Sequence, residues 1–186
     1  QNVGSKVIMA MTLITTNTET NATSSSFTSS IDSTYKLYIF KFVDVNPATD
    51  SVDFSFQCNA TDTADYNDIL ITSAAFTSSH GEDDTPAALG YHNGNDLVQS
   101  ASFQILADDL GNGADECCAG ELFLFNPSST TYVKHFYARV SSYSSDSNAI
   151  SHWCSGWLDD ATAIDDIQFK MSSGNFDATI RMYGVG

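Results

Sequence analysis

Five clusters of adjacent carboxylates are the residues of this chain whose type and spacing could bind a metal. The clusters are Glu82-Asp83-Asp84, Asp108-Asp109, Asp115-Glu116, Asp159-Asp160 and Asp165-Asp166. Converging carboxylates are the ligands that Ca²⁺ requires, but the spacing here matches neither an EF-hand loop nor a glycine-rich calcium repeat. We expect solvated acidic loops and no cofactor, with calcium bound in one of the loops as the alternative.

No motif in the sequence selects a catalytic group. A glycoside hydrolase needs two carboxylates about 5 to 10 Å apart in a cleft, and nothing in the spacing distinguishes two of the many carboxylates. The nucleophile elbow Gly-x-Ser-x-Gly, the phosphate-binding loops and the His-Glu-x-x-His helix are absent from the sequence. The four histidines, His80, His92, His135 and His152, are spaced unlike metal-ligand pairs. We therefore predict that the protein is not an enzyme and assign no catalytic, cofactor-binding or metal residues.

The cysteines leave several interpretations open. The chain contains Cys58, Cys117, Cys118 and Cys154, which allow three pairings if all are bridged. The adjacent Cys117 and Cys118 rarely pair with each other because such a bridge is strained. Buried thiols or structural disulfides are expected, and zinc held partly by His152 and Cys154 is the alternative.

The charge of the chain argues against two classes of partner. The 186 residues include 7 Lys and Arg against 23 Asp and Glu, so the formal net charge is −16. Phosphate backbones and anionic lipids are repelled by such a protein, and no run of about 18 apolar residues is present. We expect neither nucleic-acid binding nor membrane insertion. All seven cations fall within predicted strands, whereas the carboxylates crowd the connections.

Two segments in the first third of the chain indicate β-strands. Residues 52–58 (VDFSFQC) alternate apolar and polar side chains with a period of two, as a half-buried strand does. Residues 35–45 (YKLYIFKFVDV) are apolar at nearly every position, which is typical of a strand covered on both faces by a second layer or a neighbouring subunit. Residues 46–50 (NPATD) have turn chemistry, so we predict an antiparallel hairpin.

The rest of the chain repeats this pattern of strands and turns. Two further hairpins are predicted, from residues 121–125 with 132–140, and from residues 163–171 with 177–183. Weaker strand signals lie at residues 6–14, near Phe27, and at residues 69–77, 97–106 and 150–157. Residues 64–75 and 96–106 are the alternatives that could form helices. We predict an all-β fold, a jelly-roll-like antiparallel β-sandwich of about ten strands that forms a single domain over residues 1–186.

Aromatic side chains in or near loops are the best surface candidates. They are Tyr66, Tyr91, Tyr143, Trp153 and Trp157. Exposed rings can stack on sugar faces or anchor a protein contact, the alternative being that they belong to the core.

Several turn segments together resemble a group of proteins from tailed bacteriophages of marine and environmental origin. These segments are residues 5–10 (SKVIMA), 29–35 (SSIDSTY), 46–50 (NPATD), 126–131 (NPSSTT), 172–175 (SSGN) and 182–184 (MYG). Proteins of this group are described as virion, tail-fibre, head-fibre or capsid-decoration components. The resemblance implies a place on the virion surface and supplies no catalytic or metal residues.

Three functions follow as expectations. The first is a non-enzymatic virion structural protein, a self-associating capsid-decoration or fibre subunit that contacts other virion proteins, with a trimer as the simplest homo-oligomer. The alternative is a receptor-binding module that recognises bacterial surface glycans, with calcium assisting. The third is a depolymerase that cuts capsular polysaccharide.

Overall fold

The computed structural model describes residues 10–62 and 65–186. Over these residues the chain forms twelve β-strands and no helix, so no helix there is long and apolar enough to cross a membrane. The strands are β1 (Met11–Ala22), β2 (Ser25–Phe27), β3 (Leu37–Pro47), β4 (Val52–Ala60), β5 (Ile71–Gly81), β6 (Ala87–Tyr91), β7 (Gln104–Leu110), β8 (Cys118–Phe125), β9 (Lys134–Tyr143), β10 (Asn148–Leu158), β11 (Ile164–Met171) and β12 (Phe176–Val185).

The strands form two antiparallel sheets with nested pairing. One sheet has eight strands in the order β1-β12-β3-β8-β9-β10-β5-β6, and the other has four in the order β2-β11-β4-β7. The first strand pairs with the last (β1 with β12), and the pairs β2 with β11, β3 with β8 and β4 with β7 follow inwards. This is the strand order of a jelly roll. The predicted fold class is therefore confirmed, with twelve strands instead of about ten.

Two inserted hairpins widen the larger sheet. The β5–β6 hairpin lies between β4 and β7 in sequence, and the β9–β10 hairpin lies between β8 and β11. They join each other because β5 pairs with β10 over its full length. We call the four strands β9, β10, β5 and β6 the extension. It carries the eight-stranded sheet beyond the edge of the four-stranded sheet, which ends at β7.

A cluster of phenylalanines fills the space between the two sheets. Phe169 on β11 is fully buried and lies 5.2 to 6.4 Å, between ring centroids, from five other phenylalanines. These are Phe27, Phe40, Phe42, Phe54 and Phe56. They come from β2, β3 and β4, so this cluster ties together strands of both sheets.

Two of the three predicted hairpins are wrong. β3 lies in the eight-stranded sheet and β4 in the four-stranded sheet, and β12 and β11 are divided in the same way. Residues 48–51 and 172–175 therefore carry the chain from one sheet to the other. A period-two pattern shows which side chains face the core, but strands that share a sheet and strands that face each other across the core satisfy it equally. The β8–β9 hairpin is confirmed.

Strand boundaries differ from the prediction in several places. The strand predicted at residues 6–14 overlaps β1 only at its end, with residues 6–9 outside the described residues, and β1 continues through a threonine-rich stretch that suits a strand because threonine is β-branched. Residues 97–103 precede β7 as a loop, β6 gave no strand signal, and Lys36 lies before β3. Both helical alternatives are wrong over the described residues.

The segment at residues 35–45, whose apolar side chains lie on both faces of the strand, is covered within one subunit. Tyr38, Phe40 and Phe42 of β3 face the core and are at most 2% exposed. Ile39 points to the opposite side of the sheet yet is only 7% exposed, because Phe123 of β8 and Tyr183 of β12 flank it in register. The composition of this segment therefore does not require a neighbouring subunit, and self-association stays a prediction.

Truncating the centre of the phenylalanine cluster should be costly. We expect Phe169→Ala to lower the free energy of unfolding by about 3 to 5 kcal/mol, because it removes buried surface and leaves a cavity. Urea denaturation followed by circular dichroism measures this loss. Leu89→Ala, at a side chain that is 75% exposed, is the control and should change stability by less than about 0.5 kcal/mol. Equal losses in the two variants would contradict the proposed core.

Candidate functional site

The outer face of the extension is the side that faces away from the four-stranded sheet. Side chains alternate strictly between buried and exposed along β9, so each second residue lies on this face. Cross-strand register places the corresponding residues of β10, β5 and β6 beside them. The outer face therefore collects side chains from four strands that are far apart in sequence.

An aromatic ridge crosses this face. Trp153 of β10 stacks on Phe76 of β5 with 5.8 Å between ring centroids and 6° between ring planes. The guanidinium carbon of Arg139 lies 4.7 Å from the centroid of the Trp153 ring on the other side, and Tyr91 is the register partner of Phe76 on β6. We call these four residues the aromatic ridge. Phe76 is 44% exposed and Tyr91 is 62% exposed, so the ridge presents ring surface to solvent.

Small side chains on either side of the ridge leave shallow clefts. On one side, Ala74 and Ser155 form the floor of a cleft of about 360 Å³ between the ridge and Tyr137. The same floor continues into a cleft of about 390 Å³ that is lined by His135 and Trp157. Large rings beside alanine and serine create these depressions, because the neighbouring side chains differ so much in height.

A third cleft lies on the opposite side of the ridge. It has a volume of about 340 Å³ and is lined mainly by serines together with Ala149 and His80. The serines are Ser78, Ser79, Ser141 and Ser151. Hydroxyl groups both donate and accept hydrogen bonds, so this cleft offers polar contacts next to the apolar ridge.

Contacts with neighbours hold two of the aromatic rings in place. Tyr137 stacks on Phe123 of β8 with 4.4 Å between ring centroids and 17° between planes. The Tyr91 hydroxyl donates a 2.6 Å hydrogen bond to Asp96, and this bond raises the pKa of Tyr91 above its ordinary value. These rings are therefore ordered before any ligand arrives, which lowers the entropic cost of binding.

The structure brings together four of the five aromatic residues predicted from the sequence. Tyr91, Trp153 and Trp157 line the clefts, and Tyr143 lies at the end of the same face, where its hydroxyl donates to Glu82 over 2.9 Å. Tyr66 lies elsewhere, and burial together with the charge of Asp166 raises its pKa.

Sequence reasoning missed three residues of the face. Phe76, Tyr137 and Arg139 were each treated only as parts of strands. The alternation of the segments that contain Tyr137 and Arg139 could have indicated an exposed face, but not what lies beside it.

A polar cluster lies on the other side of the extension. The Nε2 atom of His152 lies 2.7 Å from the Ser142 hydroxyl, and its Nδ1 atom lies 3.1 Å from Asp108 Oδ1. The other carboxylate oxygen, Asp108 Oδ2, lies 3.2 Å from Nε2 of His92. Asp108 belongs to β7, whereas Ser142 and His152 belong to β9 and β10. The cluster therefore links the edge of the four-stranded sheet to the extension.

The order Ser142, His152, Asp108 is that of a serine hydrolase triad, but its setting is different. A catalytic serine must reach its substrate, and Ser142 is 5% exposed while His152 is 4% exposed. The contact between His152 Nδ1 and Asp108 lacks the alignment of a hydrogen bond. We interpret the cluster as a structural link between the sheets.

The remaining candidates from the sequence are dispersed. All four cysteines are free thiols, and burial raises the pKa of Cys154 to about 12 and that of Cys58 further. Within residues 10–62 and 65–186, no group of three or more His, Cys, Asp or Glu side chains is arranged to hold a metal ion. Asp108-Asp109 lies in β7, so the expectation of a solvated acidic loop is wrong for this cluster, whereas Asp165-Asp166 lies in β11, within the strand predicted at residues 163–171.

The Asp108 link should make stability depend on acid pH. Burial acts to raise the pKa of Asp108, but contacts with His152 and His92 outweigh it and the pKa is lower than usual. A lowered pKa means that the carboxylate stabilises the fold at neutral pH and loses this contribution as the pH falls through the folded-state pKa. We expect Asp108→Asn to cost about 1 to 3 kcal/mol at pH 7 and less below about pH 4.

Urea denaturation of the wild-type protein and of the Asp108→Asn variant, at pH 7 and at pH 3, measures the difference in their free energies of unfolding. Asp84→Asn is the control, because this carboxylate is exposed and its contact with His80 is a surface pair. A loss for Asp108→Asn that is the same at both pH values would contradict the electrostatic link.

Comparison with protein-family models, with curated proteins and with solved structures finds no match to this chain.

Proposed function

We propose that the protein is a non-enzymatic recognition module that binds bacterial surface glycans across the outer face of the extension. The observation that carries this proposal is the aromatic ridge between serine- and alanine-floored clefts. The exposed ring surface of Phe76 and Tyr91 offers an apolar contact for a sugar, and Trp153, held between Phe76 and Arg139, keeps the ridge in place. Aromatic groups are the anchors that dominate many binding sites.

The clefts have the size and chemistry for a sugar ring. Their volumes of about 340 to 390 Å³ fall within the range of about 300 to 1,000 Å³ that small-molecule sites occupy. Ser141 and Ser151 on one side of the ridge and Ser155 on the other can exchange hydrogen bonds with sugar hydroxyls. A chain of several sugars could therefore cross the ridge and use clefts on both sides.

The resemblance to phage virion proteins supplies the setting of the proposal. A subunit on the virion surface would carry the outer face towards the host and contact other virion proteins elsewhere. No reaction is assigned to it.

The depolymerase alternative needs a catalytic pair that contacts the glycan, and the polar cluster lies on the opposite side of the sheet from the clefts. Incubation with labelled host polysaccharide and release of oligosaccharides would favour the depolymerase.

Glycan binding should depend on the ridge. We expect the protein to bind bacterial surface glycans on an array. Trp153→Ala should weaken binding of the best ligand at least tenfold, equivalent to about 1.4 kcal/mol, because it removes the central ring of the ridge. Tyr91→Ala should weaken it less. Isothermal titration calorimetry measures both changes, and repeating it with a chelator tests whether calcium assists.

The matched control for Tyr91→Ala is Tyr132→Ala. Tyr132 is 71% exposed, similar to Tyr91, but it lies in the connection between β8 and β9 and should not affect binding. Absence of binding to every surface glycan, or equal binding by the Trp153→Ala variant, would overturn the proposed function.

Self-association is a second candidate, favoured by the exposed edge of β1. In the part of the chain that the structure describes, β1 pairs only with β12 and forms one edge of the larger sheet. Its side chains Met11 and Leu13 are 51% and 52% exposed. Unpaired edge strands are templates for pairing with another chain, and a closed homo-oligomer such as a trimer would use this edge.

Light scattering coupled to size-exclusion chromatography tests the oligomer. We expect a mass of three times the 20.1 kDa subunit, and we expect Leu13→Lys to shift the protein towards monomer because a charge at an edge strand opposes pairing. Thr28→Lys, outside β1, adds the same charge as a control. A wild-type protein that stays monomeric at high concentration would contradict self-association.

A further inference from the structure

A single row of side chains crosses all eight strands of the larger sheet and includes the aromatic ridge of the outer face. In order, each residue is the register partner of the next: Thr16, Arg181, Lys41, Glu121, Arg139, Trp153, Phe76 and Tyr91. We call these residues the cross-strand row. Neighbouring strands are about 4.8 Å apart, so the seven spacings make the row about 34 Å long. One half consists of Thr16 and three charged side chains, and the other half is the aromatic ridge, with Arg139 at the boundary.

The row concentrates positive charge in an acidic protein. Three of the seven lysines and arginines of the chain lie in it, against one of the 23 carboxylates. That carboxylate, Glu121, is held by Lys41 over 2.8 Å. Among the described residues, neither Arg139 nor Arg181 lies within 4.0 Å of a carboxylate. Two guanidinium groups therefore remain to pair with an external anion.

Stacking prepares Arg139 for such an anion. The guanidinium carbon of Arg139 lies over the Trp153 ring, and an arginine held against an aromatic ring can still use its N–H groups to bind an anion. Arginine and carboxylate form two parallel charge-assisted hydrogen bonds, which are stronger than neutral ones. A carboxylate bound there would lie at the end of the aromatic ridge, near the exposed rings of Phe76 and Tyr91 that a sugar would contact.

We infer that the glycan recognised by this face is acidic, a polysaccharide whose sugars carry carboxylates, laid along the cross-strand row with sugar rings on the aromatic ridge and carboxylates at Arg139 and Arg181. This inference rests on the proposed function and names its ligand class. The two arginines are separated by three strand spacings, about 14 Å. Such sparse cations fit a polymer with at most one charge per sugar better than nucleic acid, whose duplex carries one charge per about 1.7 Å.

The net charge of the protein does not prevent this contact. At physiological ionic strength the screening length is about 8 Å, so carboxylates on distant loops act weakly on a ligand at the outer face. The unpaired guanidinium groups dominate close to the row. The negative charge of the rest of the molecule then opposes a polyanion that spreads beyond the row, which favours a ligand aligned with it.

Polygalacturonate and its methyl ester are the matched probes, because they differ only in the free carboxylate. Isothermal titration calorimetry without calcium should show at least tenfold tighter binding of the acid form at 50 mM salt. Raising the salt to 500 mM should weaken binding of the acid form and leave binding of the ester unchanged. Arg139→Gln should remove the preference for the acid form, and Arg181→Gln should reduce it. Lys36→Gln removes the same charge from an exposed site outside the row and should leave the preference intact.

The outcomes separate this inference from the proposed function. Equal binding of acid and ester, unchanged by Arg139→Gln, would overturn the acidic ligand while leaving glycan binding in place. The acidic ligand would also be overturned, with glycan binding still in place, if only neutral glycans bind and Trp153→Ala abolishes their binding. A single-stranded DNA oligonucleotide that binds as tightly as polygalacturonate would also overturn it. If no glycan of either kind binds, both the inference and the proposed function fail.

Discussion

The nested pairing of the first strand with the last is the constraint on which the rest of the structure depends. Because β1 pairs with β12 and β2 with β11, the two ends of the described chain are brought side by side in both sheets. The two inner pairs then place β3 opposite β4, and the phenylalanines of these strands meet Phe169 between the sheets. The burial of these rings holds the two sheets together, and the turns need only carry the chain across the gap.

The extension gives this framework its second surface. A jelly roll of eight strands has two sheets of similar width that cover each other, whereas here the inserted hairpins carry one sheet past the edge of the other. At this edge Asp108 of β7 contacts two histidines, so polar contacts join buried apolar side chains such as Phe136 and Val140 in holding the inner side of the extension. Its outer side stays open and flat, with rings and small side chains in neighbouring rows.

The distribution of charge follows from the same architecture. Arg139, Arg181 and Lys41 lie on strands of the eight-stranded sheet and point outwards, while many of the carboxylates occupy the connections. Each arginine was part of an ordinary strand pattern in the sequence. Strand pairing alone places them in one row with the aromatic ridge, and this placement is the basis of the proposed binding of an acidic glycan.

The sequence by itself determined that the chain is all-β, which side chains point inwards, and that aromatic residues such as Trp153 and Tyr91 were candidates for contact with a ligand. These properties are local, because the period of two and the turn residues are set by the geometry of a single strand. The tertiary structure decided which strands pair. It divided β3 from β4 and β11 from β12, and it placed Phe76, Tyr137 and Arg139 beside the predicted aromatic residues. Partner and register depend on contacts between residues far apart in the chain, and the same alternation is compatible with several pairings.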